Sequence, residues 1–224
     1  MSGPMKPVGV LGGMGPEATI LLMQKVLDRV DARDDADHVP LIVHQNPQVP
    51  SRIAALIDGT GEDPGPVLAG MARGLAAAGA RALAMPCNTA HAYADQVREA
   101  TDLPFLDMVA ATAREIPEDA VVGLLASPAT QRVGVFDAAF GQRNITPRMA
   151  DPTRMLALIR AIKARGGSPE AAAELRALAD EVGQVDLLIV ACTELSLVTG
   201  GLAPGTWLDA LDVLAADIVA FARG

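Results

Sequence analysis

Aromatic residues are scarce in this chain. One Trp, one Tyr and four Phe make up 3% of its 224 positions. Its core must therefore be aliphatic, filled by many small Ala, Val and Leu side chains. Cysteine and histidine are scarce too, at two and three residues. Two thiols and the scattered His38, His44 and His91 give no spacing of the kind that holds a structural zinc, and there is no Cys-x-x-Cys. Excess positive charge is missing: 18 Lys and Arg against 27 Asp and Glu leave a formal net charge of -9. That argues against nucleic acid as a partner. It also means that an acidic ligand would need a local cluster of cations, because the global field repels it. No uninterrupted apolar run reaches the roughly 18 residues of a spanning helix. No charged leader followed by an apolar stretch opens the chain. No membrane partner is expected, and the two thiols are expected to be reduced, in the cytoplasm. Met1-Ser-Gly-Pro-Met5 precede a second Met and are set aside from the fold argument.

What is present is a repeated plan. Pro7–Gly12 reads as a strand, followed by a glycine turn and a helix that opens at Pro16 and runs to Arg29. Pro40–Gln45 is a second strand, Ala69–Ala78 an Ala-rich helix stopped at Gly79, and Ala80–Met85 a third strand. The second half repeats this with a strand over Ala120–Ala126, helices over Met155–Ala164 and Pro169–Val182, and a strand over Val185–Ala191. Strands alternating with helices predict an α/β fold with mainly parallel sheets flanked by helices. Gly12 precedes Ala126 by 114 residues and Cys87 precedes Cys192 by 105. The similar offsets predict a pseudo-twofold duplicate of two lobes: residues 1–104, completed by a C-terminal segment 207–224, and residues 105–206. The C-terminal helix, read over Leu208–Ala222, is expected to pack back on the first lobe. Sites in such sheets form at the carboxyl ends of strands, which places this one between the lobes.

The two cysteines end equivalent strands, in Met85-Pro-Cys-Asn-Thr-Ala-His91 and Val190-Ala-Cys-Thr-Glu194. A lone buried cysteine is more often packing than chemistry. Two in matching places suit a reaction in which a proton leaves one face of a carbon and returns on the other. The polar residues after each are expected to open helices whose N-termini would lower the thiol pKa. His91 reads equally well as a partner of the cysteine loop or as a polar helix residue. The run Gly13-Met-Gly-Pro-Glu-Ala18 fits a dinucleotide turn, but the second strand ends at Gln45-Asn46 without the acid a ribose needs. The plainer reading is a tight turn facing an anion.

Gly12-Gly-Met-Gly-Pro-Glu-Ala-Thr19, Pro86-Cys-Asn-Thr-Ala-His91 and Cys192-Thr-Glu194 together resemble the aspartate/glutamate racemase superfamily, specifically its aspartate racemase branch. Asn46-Pro-Gln-Val-Pro-Ser-Arg52 is similar to an Asn-x-Gln-x-Pro-x-Arg segment of that branch. The resemblance implies a cofactor-independent racemase, a homodimer, acting on aspartate or a related small acidic amino acid. It makes Cys87 and Cys192 the paired acid and base. It places Met14, Gln48, Arg52, Asn88, Thr89, Ser127, Thr130, Lys163 and Thr193 around the substrate, with Arg52 on the distal carboxylate. Glu194, where glutamate racemases more often have a His, fits the aspartate racemase branch. There is one departure. The loop Ala126-Ser-Pro-Ala-Thr130 replaces a more common Ala-Thr-x-Gly-Thr, so Pro128 and Ala129 are expected to reshape the carboxylate pocket. A maleate-isomerase-like enzyme, or a two-lobed protein that binds an anion without chemistry, are the alternatives. A pure binder has no need for paired thiols, and a decarboxylase of the superfamily that relies on one cysteine is disfavoured by the intact pair.

Overall fold

A computed structural model describes residues 5–224; Met1–Pro4, counted in the expected first lobe, lie outside the described residues. The first lobe is built from β1 (Val8–Gly12), α1 (Pro16–Asp28), β2 (Leu41–Gln45), α2 (Gly65–Ala77), β3 (Ala82–Ala84), α3 (Ala94–Glu99) and β4 (Phe105–Leu106). After α4 (Met108–Glu115) come β5 (Val121–Ala126), α5 (Pro128–Arg132), α6 (Asp137–Gly141), β6 (Thr146–Met149), α7 (Pro152–Arg165), α8 (Pro169–Glu181), β7 (Leu187–Ala191), β8 (Trp207–Asp209) and α9 (Ala210–Arg223). Each half forms a four-stranded, all-parallel sheet. The orders are β2-β1-β3-β4 and β6-β5-β7-β8, the same topology twice.

The repetition extends to single residues. Gly9 pairs with Leu83 and Gly123 with Leu188. A Cβ on Gly9 would lie 2.9 Å from the Ala80 Cβ, and one on Gly123 would lie 2.6 Å from Leu188. Both central strands therefore drop a side chain where a neighbour crosses the sheet. Both are followed by a helix with Pro in its first turn, at Pro16 and Pro128, where the missing N–H has no intrahelical acceptor to lose.

The expected boundaries are each displaced by one strand. Phe105–Leu106, assigned to the second lobe, pairs with β3 in the first sheet, and Trp207–Asp209, assigned to the first, pairs with β7 in the second. The cores show why. Leu211, Leu214, Ala215 and Ile218 of α9 pack with Val8, Val10 and Ala84 of the first sheet. Val109, Ala113 and Ile116 of α4 pack with Val122, Leu124 and Ile189 of the second. Each lobe thus finishes its sheet and sends the following helix to cover the other. Asp107 caps α4 by accepting from Ala110 N at 2.9 Å, and Asp209 caps α9 by accepting from Leu211 N at 2.9 Å.

Some elements were not expected from sequence. β6 is an edge strand with mostly exposed side chains and a proline, Pro147, which edges tolerate and central strands do not. β4 and β8 are too short to show a period. α2 begins at Gly65, earlier than expected, because Pro66 sits in its first turn. Among the described residues no helix is long and apolar enough to cross a membrane.

Asp209 is 1% exposed. Burial raises its pKa from 3.8 to about 6 against the opposing pull of Lys25, the Leu211 amide and the Ser196 hydroxyl. The folded state thus holds this proton more tightly than the unfolded chain. The resulting stability, on the order of 3 kcal/mol for such a shift, is fully present below pH 3.8 and is lost as pH rises through about 6. Asp209→Asn keeps an N-cap acceptor and removes the titration. Its melting temperature is expected to fall less than that of wild type between pH 5 and 7 in thermal scans.

Candidate active site

β3 and β7 deliver the two thiols. Cys87 and Cys192 are both buried and free, and both line one cavity of about 100 Å³ between the lobes. Met14, Ser51, Arg52, Ile53 and Thr89 from the first half and Ser127, Ile159, Lys163 and Glu194 from the second complete its wall. Met14, Arg52, Thr89, Ser127 and Lys163 are therefore gathered beside the thiols, as expected. The remaining expected residues are not on this wall. Gln48 lines an adjoining outer cavity of about 640 Å³ that shares Ser51, Arg52, Lys163 and Glu194 with the inner one. Asn88, Thr130 and Thr193 are buried behind it. Thr130 takes part through Thr89, since the hydroxyls of Thr89, Ser127 and Thr130 form a mutually bonded trio at 2.7–3.0 Å. Neither side-chain atom of Asn88 has a hydrogen-bond partner among the described residues. A buried amide left so is costly, and a ligand would relieve it.

The altered second-lobe loop is accommodated. Ser127 caps α5 by accepting from Thr130 N at 3.1 Å, and Pro128 takes the first helical position. Its missing amide removes no bond from the helix, and Ala129 is fully buried away from the cavity. The turn after β1 is held differently. Gly13 has φ 93°, and a Cβ there would lie 2.4 Å from the Asn46 backbone, so only glycine fits. Thr19 locks the turn, accepting from Gly13 N at 2.9 Å and donating to Gly15 O at 3.3 Å. Glu194 lies next to this turn: a Cβ on Gly15 would stand 3.6 Å from its Oε1.

Glu194 is the functional residue the sequence reading noticed and left out of the site. Cys192 Sγ–H donates to its Oε2 at 3.1 Å, and its Oε1 lies 2.6 Å from Lys163 Nζ. The available signal was its place two residues after Cys192, where the intervening residue is buried the other way. Lys163 and Ile159 share one face of α7, one turn apart. Burial opposes the charge on Lys163, but the Glu194 carboxylate outweighs it and raises the Lys163 pKa. The chain after the cysteines does not make the expected α-helices. It makes 3-10 turns at Thr89–Tyr93 and Leu195–Leu197, too short to sum the peptide dipoles that an α-helix would bring to the sulfurs. For Cys192 the pKa moves the other way: burial raises it well above the ordinary value, and Glu194 adds to the rise. Both effects favour the protonated thiol over the thiolate.

Arg52 is anchored before any ligand arrives. Its Nη1 donates to the carbonyls of Val49 at 3.2 Å and Pro50 at 2.9 Å, and its Nη2 to that of Met14 at 3.2 Å. Nε has no partner among the described residues. With the second Nη2 hydrogen it leaves one edge of the guanidinium for a bidentate acceptor. His91 does not touch a sulfur. Its Nδ1–H donates to the Cys87 carbonyl at 2.9 Å, Nε2 lies 3.9 Å from Asp107, and burial lowers its pKa.

The chain was compared with known proteins. A profile of the family described as Asp/Glu/Hydantoin racemase matches residues 11–220. A curated relative, the broad specificity amino-acid racemase RacX of Bacillus subtilis (strain 168), is 29% identical over 199 residues, covering 85% of this chain and 86% of that protein. The structure of an aspartate racemase from Picrophilus torridus superposes with a TM-score of 0.85 at 27% identity, covering 97% of this chain and 94% of that one. A glutamate racemase from Francisella tularensis subsp. tularensis SCHU S4, solved with D-glutamate, shares the fold at 17% identity, with a TM-score of 0.67 and 97% and 81% coverage.

Removing the Glu194 charge takes away an acceptor and a repulsive neighbour of the Cys192 thiolate and leaves Lys163 unopposed. In a Cys87→Ser background, which isolates one thiol, Glu194→Gln is expected to move the Cys192 titration to lower pH. The ultraviolet thiolate absorbance read against pH checks this; an unmoved or raised titration would contradict the role given to Glu194.

Proposed function

The chain belongs to the Asp/Glu/Hydantoin racemase family, and from that membership we propose that it is a cofactor-independent racemase of aspartate or a closely related acidic amino acid, working with two cysteines. The observation that carries the reading is the presence of Cys87 and Cys192, each following one of two topologically equivalent strands, on one small cavity. One thiolate removes the α-proton, and the thiol on the opposite face donates one to the carbanion. Cys192, neutral at rest and hydrogen-bonded to Glu194, is the donor in the turnover that begins with proton loss to Cys87. That turnover leaves Cys87 as the thiol and Cys192 as the thiolate, the state from which the reverse turnover runs with the two roles exchanged, while Glu194 stands as the hydrogen-bond partner of Cys192.

The α-carbon of an amino acid is a very weak acid, so charge developing on its carboxylate must be met by fixed donors. The hydroxyl trio of Thr89, Ser127 and Thr130 and the unpaired Asn88 amide supply them. Arg52 is left for the side-chain carboxylate, through its open edge, and Gln48 stands further out. Lys163 is neutralised by Glu194, so Arg52 is the one cation on the inner wall without an ion-pair partner among the described residues. That favours a substrate with a single distal carboxylate. Lining and charge thus support an acidic substrate, while the adjoining outer cavity gives room for one larger than aspartate. The reading includes a homodimer, which sedimentation would check. The apolar row Ile20, Met23 and Leu27, exposed by 60%, 42% and 45% along one face of α1, is the surface association would cover.

Incubation with L- or D-aspartate in heavy water, followed by NMR and optical rotation, separates a racemase from a binder, because only a racemase exchanges the α-proton and inverts. Cys87→Ser and Cys192→Ser are each expected to lower racemisation by about 10²–10⁴-fold; retention of near-wild-type rates by either variant would remove the two-cysteine mechanism. Added pyridoxal phosphate is expected to change nothing. Arg52→Lys keeps the charge and loses the planar fork. It is expected to raise KM for an acidic substrate by roughly 10-fold, about the 1–3 kcal/mol of one charge-assisted contact, with a smaller effect on kcat.

A further inference from the structure

Behind Cys192 runs a chain of contacts to the residue that caps the exchanged helix α9. On the second-lobe side, Leu195 N donates to the Cys192 carbonyl at 2.9 Å, closing the 3-10 turn that carries Ser196. Ser196 Oγ donates to Asp209 Oδ1 at 2.8 Å, and the same oxygen accepts from Leu211 N. The other oxygen, Oδ2, lies 3.5 Å from Lys25 Nζ in the last turn of α1. The first turn of α1 follows the Gly13–Gly15 loop that borders Glu194. Asp209 therefore joins three things in one buried place: the turn after Cys192, the N-terminus of α9, and the far end of the helix whose start forms part of the site's wall.

The first-lobe side repeats this in part. His91 follows Cys87 by four residues, as Ser196 follows Cys192. Its Nδ1–H holds the Cys87 carbonyl, while its Nε2 lies 3.9 Å from Asp107, the cap of α4, without a hydrogen bond among the described residues. Asp107 is tied instead to Arg98 of α3. Two different side chains, a hydroxyl and an imidazole, thus hold matching places behind the two cysteine turns, and only the hydroxyl is bonded to the capping carboxylate.

We propose that Asp209 is a positioning residue for Cys192, acting through Ser196, and that His91, through the Cys87 carbonyl, does the same for Cys87. A displacement of one sulfur by a fraction of an ångström weakens proton transfer on that face alone, because each thiol is held by its own tether. Resting as it does on the two-cysteine reading, the inference carries a signature that general destabilisation lacks: the loss is one-sided.

The experiment measures α-proton loss from L- and D-aspartate separately in heavy water, together with inversion. Cys87→Ser and Cys192→Ser first assign each enantiomer to the thiol that faces its proton. Ser196→Ala removes one hydroxyl and leaves the α9 cap in place. It is expected to slow inversion by roughly 10-fold, along with proton loss from the enantiomer facing Cys192. Proton loss from the other enantiomer is expected to stay near wild type. Asp209→Ala is expected to reproduce this pattern. Asp209→Asn, which keeps an acceptor for Ser196, is expected to restore most of the rate. His91→Gln is expected to show the mirror pattern. Should Asp209→Ala fail to fold, Ser196→Ala decides. Unchanged rates in Ser196→Ala, or equal slowing of both enantiomers, would overturn the inference while leaving the two-cysteine reading intact. If the Cys→Ser variants themselves racemise normally, it is that reading that fails.

Discussion

Each lobe depends on a helix supplied by the other. A four-stranded parallel sheet must be covered on both faces to bury its apolar side chains, and here one cover comes from across the cleft. Leu211, Leu214 and Ile218 of α9 lie on Val8 and Val10, while Val109 and Ile116 of α4 lie on Val122 and Ile189. Neither core is complete without the exchange. The carboxyl ends of β3 and β7 are consequently locked toward the same space, and the thiols that follow them share one small cavity. The capping aspartates sit where the chain leaves one lobe for the other, and at Asp209 the helix cap is also bonded, through Ser196, to the turn behind Cys192.

Within that frame the site is electrically economical. Glu194 accepts from Cys192 and pairs with Lys163, and the two charges cancel at the cavity wall. Glu194 adds to the burial that favours the Cys192 thiol, Lys163 opposes it, and the pair leaves no net charge on the wall beside Arg52. Arg52 is fixed by three backbone carbonyls, so little side-chain entropy remains to be lost when a ligand meets its open edge. The two halves of the site are not equivalent in this respect. Only the second cysteine carries a carboxylate two residues on, and the duplicate in the fold therefore hosts unlike acid–base partners.

Much of this was legible in the sequence because it rests on short-range signals. Apolar runs ending in cysteine marked β3 and β7, Pro16 and Pro169 marked helix starts, and the similar offsets between halves marked the repeat. The features that were not legible depend on which surface an element meets. α4 and α9 are amphipathic, but nothing in their period says that the apolar face lies on the other lobe's sheet. The boundaries expected at 104/105 and 206/207 each missed a strand of two or three residues for the same reason. Arg52 and Lys163 were placed near the thiols on family pattern, and both line the cavity. Yet Lys163 is spent on Glu194, a pairing that no spacing between residues 163 and 194 announces.

The expectation of helix-lowered thiol pKa failed on a physical point with wider reach. A strand end followed by polar residues does not guarantee an α-helix, and a 3-10 turn of three to five residues sums few peptide dipoles. Without that field, burial dominates, and burial penalises the thiolate. The Glu194 carboxylate at 3.1 Å adds to the rise, and Lys163 beyond it opposes the rise without reversing it. On the proposed two-cysteine mechanism, burial and the carboxylate together keep this thiol a proton donor, and the cation moderates how tightly the proton is held.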